Sequence, residues 1–244
     1  MFFTGLLAVA LIIKLQSLCT GAEVNGVYDA PRCEVRRCLT APQPVCEKLT
    51  MRPCYAEREV MTMLGKNFLC DTKTDGGGWI LIQRRIKPGV DFVRNWEEYK
   101  QGFGTLSGDF WIGLDFIYSL ITQHSYELRV DMKYQNRSYY AKYHTFSIAN
   151  EADKFRLTVT GWSGTTGDSF YAQNNKQFYT IDRPSANTCT EHYQAGWWWG
   201  NCYSVFLNGL WNETRRWNGI HWDSLGQGVT TLQSAEMKLR KKNY

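Results

Sequence analysis

The side chains with reactive potential gather late in the chain. Cys189 and Cys202, with 12 residues between them, are the natural pair for a local disulfide loop in an oxidising compartment. That loop encloses Trp197-Trp198-Trp199, a dense apolar mass where regular structure is not expected. Patterns of turnover are missing. Gly161-Trp-Ser163-Gly164 lacks the spacing of a nucleophile elbow, the four histidines His124, His144, His192 and His221 form no H-E-x-x-H, and no phosphate-binding loop occurs. The chemistry expected is binding, without catalysis.

The elements that must hold such a loop follow from period counting. Tyr126–Met132 alternates apolar Tyr126, Leu128, Val130 and Met132 with charged Glu127, Arg129 and Asp131, and 155–160 does likewise. Both read as strands with one buried face. Residues 79–85, 138–148 and 232–239 are further strands. Leu114, Ile117 and Ile121 recur at helical spacing, and 94–101 reads as a short helix ending at Gly102. From Gly161 to Gly228 periodicity fades into a stretch rich in Gly, Asn, Ser and Trp. So long an irregular run in a compact domain is expected to be functional and held by cross-links, aromatic packing or a metal.

The 244 residues are 43% hydrophobic and 15% aromatic, enough for a full core and against disorder. A net charge of +5, spread along the chain except for Arg240-Lys241-Lys242, falls short of the basic stripe that nucleic acid requires. Residues 6–18 form an apolar run of signal-peptide length before the small residues Cys19, Thr20, Gly21 and Ala22. Residues 1–21 therefore read as a signal peptide and the protein as secreted, with no membrane span after cleavage. A retained anchor is the competing reading. Residues 22–45, with Pro31, Pro42 and Pro44, read as a tether containing Cys33 and Cys38. Cleavage would remove Cys19 and leave seven of the eight cysteines, an odd number that favours a covalent partner or a reactive thiol. Asn136-Arg137-Ser138 and Asn212-Glu213-Thr214 are acceptor sequences for N-linked glycans.

A family resemblance becomes specific at Cys70-Asp-Thr-Lys-Thr-Asp75-Gly-Gly-Gly-Trp79 and Gln83-Arg84-Arg85. It continues through Asp91-Phe-x-Arg94-x-Trp96-x-x-Tyr99-x-x-Gly102-Phe-Gly104, Gly108-Asp-Phe-Trp111-Ile-Gly-Leu and Glu127-Leu-Arg-Val-Asp131. Asn201-Cys202, Leu207-Asn-Gly209 and Glu236-Met-Lys238 complete it. In this order the residues resemble the fibrinogen C-terminal-like domain of ficolins, tachylectins and other fibrinogen-related proteins, over residues 46–244. The resemblance implies an α+β domain with a central, mainly antiparallel sheet, short helices and a loop-rich C-terminal binding subdomain.

It also implies a site. Lectin-like members hold calcium with an Asp-x-Asp pair before the first late cysteine; here the stretch is Asp182-Arg-Pro184-Ser-Ala-Asn-Thr-Cys189. Calcium is thus a possible cofactor, with Asp182 as ligand. Proline offers only a carbonyl, so retention depends on Ser185, Asn187 or water making up the oxygens. A metal-free turn capped by Asp182 is the alternative. The family's acetyl pocket corresponds to Asn201 and Cys202, where members have a cis peptide, with Tyr193 on one wall and Tyr203 where several members have His. Arg216 stands about where members have an aromatic, and Trp217 is its substitute. Such a cis bond is expected here only if the Cys189–Cys202 loop is closed. Cys46 is the partner implied for Cys70, leaving one of Cys33, Cys38 and Cys54 unpaired.

The functional expectation is a secreted lectin-like protein that binds acetylated or anionic glycans, as glycans or glycoproteins on cell or microbial surfaces, in innate immune recognition. A homo-oligomer, with the odd cysteine available for a disulfide link, would raise weak single-site affinity through avidity. The alternative is an extracellular protein-binding module, a receptor ligand or matrix component, using the same loop face without sugar or calcium.

Overall fold

The computed structural model describes residues 58–63, 65–211, 213, 218–226 and 231–242. In sequence order the sheet-forming elements begin with β1 (Arg58–Met63), β2 (Lys66–Asp71) and β3 (Trp79–Arg85), followed by helix α1 (Trp96–Gln101). The short β4 (Phe103–Gly104) and β5 (Phe110–Trp111) precede helix α2 (Leu114–Ile121), then β6 (Tyr126–Tyr134), β7 (Arg137–Ile148) and β8 (Leu157–Gly164). The late region contributes β9 (Phe178–Tyr179), helix α3 (Cys189–Tyr193), β10 (Trp197–Trp198), β11 (Val205–Phe206), β12 (His221–Trp222) and finally β13 (Ser234–Lys241).

The main sheet runs β1-β2-β3-β13-β6-β7-β8, with antiparallel pairing throughout. The last strand therefore inserts at the centre, between β3 and β6. Alternation works as expected in β6, where Tyr126, Leu128, Val130 and Met132 are buried and the charged residues between them are not fully buried. In β13, Ala235, Met237 and Leu239 turn into the same core. α1 starts at Trp96, two residues later than the sequence suggests. Asn95 forms a capping box with Glu98, accepting its N–H at 2.9 Å while Glu98 accepts the Asn95 N–H at 3.0 Å.

At Gly77 and Gly196 the backbone admits only glycine. Gly77 has φ +77, and a Cβ there would lie 2.3 Å from the Thr72 carbonyl oxygen. A Cβ on Gly196 would lie 2.5 Å from the Tyr99 ring, so the backbone after α3 can pass close to α1 only without a side chain. The Gly161–Gly228 stretch is less bare than expected. β8 continues to Gly164, and two two-stranded sheets, β9 with β10 and β11 with β12, sit within it. Between these short pieces, aromatic packing supplies the cohesion: Trp197, Trp198 and Trp222 are fully buried, and Phe178 packs on Trp198 with centroids 5.3 Å apart.

The charged face of the sheet has its own centre. Lys238, 1% exposed, places Nζ 2.8 Å from Asp71, 2.7 Å from Asp131 and 3.3 Å from Glu236. Burial alone would raise the Asp71 pKa, but hydrogen bonds from Lys238 and Thr74 and the lysine charge outweigh it and hold the carboxyl well below its usual range. Burial would lower Lys238, and its three carboxylates reverse that, so its pKa is raised. Among the described residues, no helix is long and apolar enough to cross a membrane.

Candidate binding site in the late loops

The loop face is fixed from three directions. Cys189 and Cys202 are disulfide-bonded with Cα atoms 5.3 Å apart, within the normal range. Closing a loop over a separation of 13 lowers the entropy of the unfolded state by the equivalent of about 3 kcal/mol. Behind the bridge, buried Gln173 donates from Nε2 to the Cys202 carbonyl at 3.2 Å, and its Oε1 accepts the N–H groups of Ser204 and Val205, each at 3.3 Å. From the main sheet, β3 reaches up with two polar side chains. Gln83 Nε2 donates to Leu207 O at 2.9 Å and to Asn208 Oδ1 at 3.1 Å, while Arg85 Nη1 donates to Leu207 O at 3.2 Å and Gly209 O at 2.7 Å. Arg85 is buried, and Asp109 neutralises it at 3.0 Å. Asn208 closes the set by donating to Gly196 O at 2.9 Å.

On this support stands an aromatic cluster. Trp199 and Phe206 form a buried floor with ring centroids 4.9 Å apart. Tyr193 stacks on Trp199 at 5.4 Å and 20°, and Tyr203 lies 5.3 Å from Phe206. The two tyrosines meet edge to face at 5.0 Å, and buried His221 flanks Tyr203 at 5.4 Å. Both tyrosines are half-buried, and Asn201, beside Cys202 in the chain, is exposed. Burial raises the pKa of both phenols, and for Tyr203 the neighbouring Tyr193 and Asp223 raise it further. Both phenols are therefore neutral at ordinary pH, and half-buried rings of this kind are suited to stacking a small apolar or sugar surface.

The peptide geometry at Asn201-Cys202 differs from the expectation. The loop is closed, yet no cis peptide bond occurs among the described residues. The turn is made instead by Cys202 in the left-handed region, φ +55, with a bridge between Gly200 and Cys202.

Asp182 lies in a tight turn in which Thr180 and Arg183 exchange backbone hydrogen bonds of 3.2 and 3.1 Å. Its Oδ1 already accepts two donors, the Trp96 N–H at 2.9 Å and the Thr180 hydroxyl at 2.7 Å. Arg183 lies over the Trp96 ring at 4.6 Å. Asn187 Nδ2 donates to the Gly200 carbonyl, and the Ser185 N–H is bound to Thr190 Oγ1 at 3.3 Å. In this turn the buried Ser185 hydroxyl lacks a partner. The donor set does not fit calcium, which takes about six to eight oxygens with several carboxylates. Here one carboxylate is engaged and Pro184 adds no side-chain oxygen. Among the described residues, no group of three or more His, Cys, Asp or Glu is placed to hold a metal.

The structure thus brings Tyr193 and Tyr203 together, with Cys202 next to Tyr203 in the chain and bonded to Cys189, and sets Asp182 apart as a support against α1. Arg216, Trp217, Asn212, Cys46 and the segments 1–21 and 22–45, with Cys33 and Cys38, lie outside the described residues, as does Cys54. Cys70 is buried and disulfide-bonded. Sequence reasoning missed Trp199, Phe206 and His221 as parts of the aromatic cluster and Gln173, Gln83 and Arg85 as its supports. Gln83 and Arg85 carried a signal, since both belong to the matched family motif, but nothing in that motif links them to residues more than 120 positions away.

Comparison with known proteins agrees with this architecture. Residues 57–242 match the family described as fibrinogen beta and gamma chains, C-terminal globular domain. Tenascin-R of Gallus gallus is 38% identical over 178 residues, 72% of this chain and 13% of that protein. Fibrinogen C domain-containing protein 1 of Homo sapiens is 39% identical over 188 residues, 72% of this chain and 41% of that protein. The chain thus spans less than half the length of either relative. The fibrinogen-like globe domain of human ANGPTL6 superimposes with a TM-score of 0.74 at 32% identity, covering 78% of this chain and 91% of that one. A lamprey fibrin D-dimer, solved with the peptide Gly-His-Arg-Pro-amide, shares the fold with a TM-score of 0.72 at 22% identity, over 97% of this chain and 84% of that one. The protein belongs to the family of C-terminal globular domains of the fibrinogen beta and gamma chains.

Proposed function

We propose that this protein is an extracellular recognition module that binds acetylated or anionic glycans through the aromatic cluster of Tyr193 and Tyr203. The observation that carries this reading is the half-exposed tyrosine pair over the Trp199 and Phe206 floor, held by the Cys189–Cys202 bridge. An acetyl methyl or a sugar face stacks on these rings, and the neutral Tyr193 phenol donates to its carbonyl or hydroxyl oxygens. The loop keeps its shape without calcium, because Trp96 and Thr180 fill the role a cation would have at Asp182. Secretion, microbial-surface targets in innate immunity and a homo-oligomer linked through the odd cysteine complete the proposal. No turnover is part of it.

A protein partner on the same face is the second reading, favoured by Pro184 in place of a second acidic ligand. Retention of the recombinant protein on N-acetyl-sugar resin, with elution by free acetylated sugar, tests the first reading. Failure to bind the resin with or without calcium would favour the second.

A further inference from the structure

We propose that Asn136 carries an N-linked glycan, on the side-chain nitrogen that its contacts with Gln233 leave free. The proposal rests on the extracellular reading above, since the transfer takes place in the secretory lumen. Asn136-Arg137-Ser138 has the acceptor spacing, with no proline between Asn and Ser. Asn136 forms, with Gln135, the two-residue turn between β6 and β7, and both have positive φ, 60° and 47° respectively. A mirror-image hairpin turn of this kind favours Asn by itself, so the turn alone does not make a glycan site.

The clamp around Asn136 goes beyond what a turn requires. Gln233, 97 residues away, accepts the Asn136 backbone N–H on Oε1 at 2.7 Å, and its Nε2 donates to Asn136 Oδ1 at 3.1 Å. These bonds settle which way both amides point. A backbone N–H can only donate, so the Gln233 atom facing it is oxygen, and its other amide atom is a nitrogen that requires an oxygen on Asn136. Asn136 Nδ2 is therefore the free end, with no hydrogen-bond partner among the described residues. Asn136, Arg137 and Ser138 are all exposed. The nitrogen that glycosylation uses is the one polar atom of the side chain that folding does not employ.

In the transfer, the donor is an oligosaccharide linked through its anomeric carbon to a polyprenyl diphosphate. A bond forms between that carbon and Asn136 Nδ2, the carbon–oxygen bond to the diphosphate breaks, the amide gives up one proton, and the polyprenyl diphosphate departs. Nothing is oxidised or reduced. Because Nδ2 makes no bond in the hairpin, the modified protein keeps both Gln233 contacts and the turn intact.

The test is expression of residues 1–244 in eukaryotic cells. Asn212→Gln is included so that a single acceptor remains. N-glycosidase digestion in heavy-oxygen water converts a glycosylated asparagine into a labelled aspartate, read by peptide mass. The expected result is a labelled aspartate at position 136 in most of the protein recovered from the medium, and none in Ser138→Ala. That variant leaves Asn136 and both Gln233 bonds in place, so it separates loss of the glycan from loss of the turn. An unlabelled Asn136 in secreted protein would overturn the glycan while leaving export standing. Retention of unmodified protein in the cytosol would overturn both.

Discussion

The carboxylate of Asp182 accepts the backbone N–H of Trp96 at 2.9 Å, joining the turn before the late disulfide to the first residue of α1. Asn95 caps the N–H of Glu98, and Asp182 takes one that the cap leaves open. Losing this contact costs about 1–2 kcal/mol, as for a helix cap. Asp182→Ala is expected to lower thermal stability by that amount in buffer with calcium and in chelator alike. Scanning calorimetry of both proteins in both buffers checks this; a chelator-sensitive melting temperature in the parent protein would contradict the metal-free loop.

Tyr203 and Tyr193 are expected to carry ligand contact more than fold. Each keeps a half-exposed face, so Tyr203→Ala should weaken binding of an N-acetyl sugar at least tenfold, about 1.4 kcal/mol. Tyr203→Phe keeps the ring and should lose less. Titration calorimetry of the two variants separates stacking from the hydroxyl.

The Cys189–Cys202 bridge is expected to matter for both. Cys189→Ser with Cys202→Ser should destabilise the domain by about 2–5 kcal/mol and abolish sugar binding, since Cys202 adjoins Tyr203 in the chain. Denaturant unfolding and resin retention, measured on the same preparation, report the two effects.

Acid should act first on the charged face of the sheet. Asp71 has a folded pKa below its unfolded value, so its contribution is complete above the usual carboxylate range of about 3.9 and fades as pH falls below it. Lys238 has a raised pKa, so its share is complete below its unfolded value and is lost only as strong alkali passes its folded pKa. Stability should therefore be level from mildly acid to neutral pH and fall below about pH 4. Lys238→Met leaves buried Asp71 without its cation and costs about 3–5 kcal/mol near neutral pH, a cost that should shrink in acid, where protonation neutralises the carboxyl. An equal cost at about pH 7 and about pH 3 would contradict the role given to Lys238.

Much of the main sheet was legible in the sequence, because β6 has one buried face and its alternation survives. β2 was not, since Phe68, Leu69, Cys70 and Asp71 are all buried and leave no period of two. Burial of Asp71 is possible only because Lys238 arrives 167 residues later, a pairing no local window contains. The family motif pointed to Tyr193, Asn201, Cys202 and Tyr203, whereas the roles of Gln173 and Arg85 arise from contacts across the fold. Asp182 was legible as a carboxylate but not as a partner of Trp96, 86 positions earlier.

The central claim is that a guest sits against Tyr193 and Tyr203, and saturation-transfer difference NMR with an N-acetylated sugar reads that contact directly. Strong transfer to the acetyl methyl protons is expected in the parent protein, unchanged by chelator and lost in Tyr203→Ala. Absence of transfer in the folded parent protein, or transfer that persists in Tyr203→Ala, would contradict it.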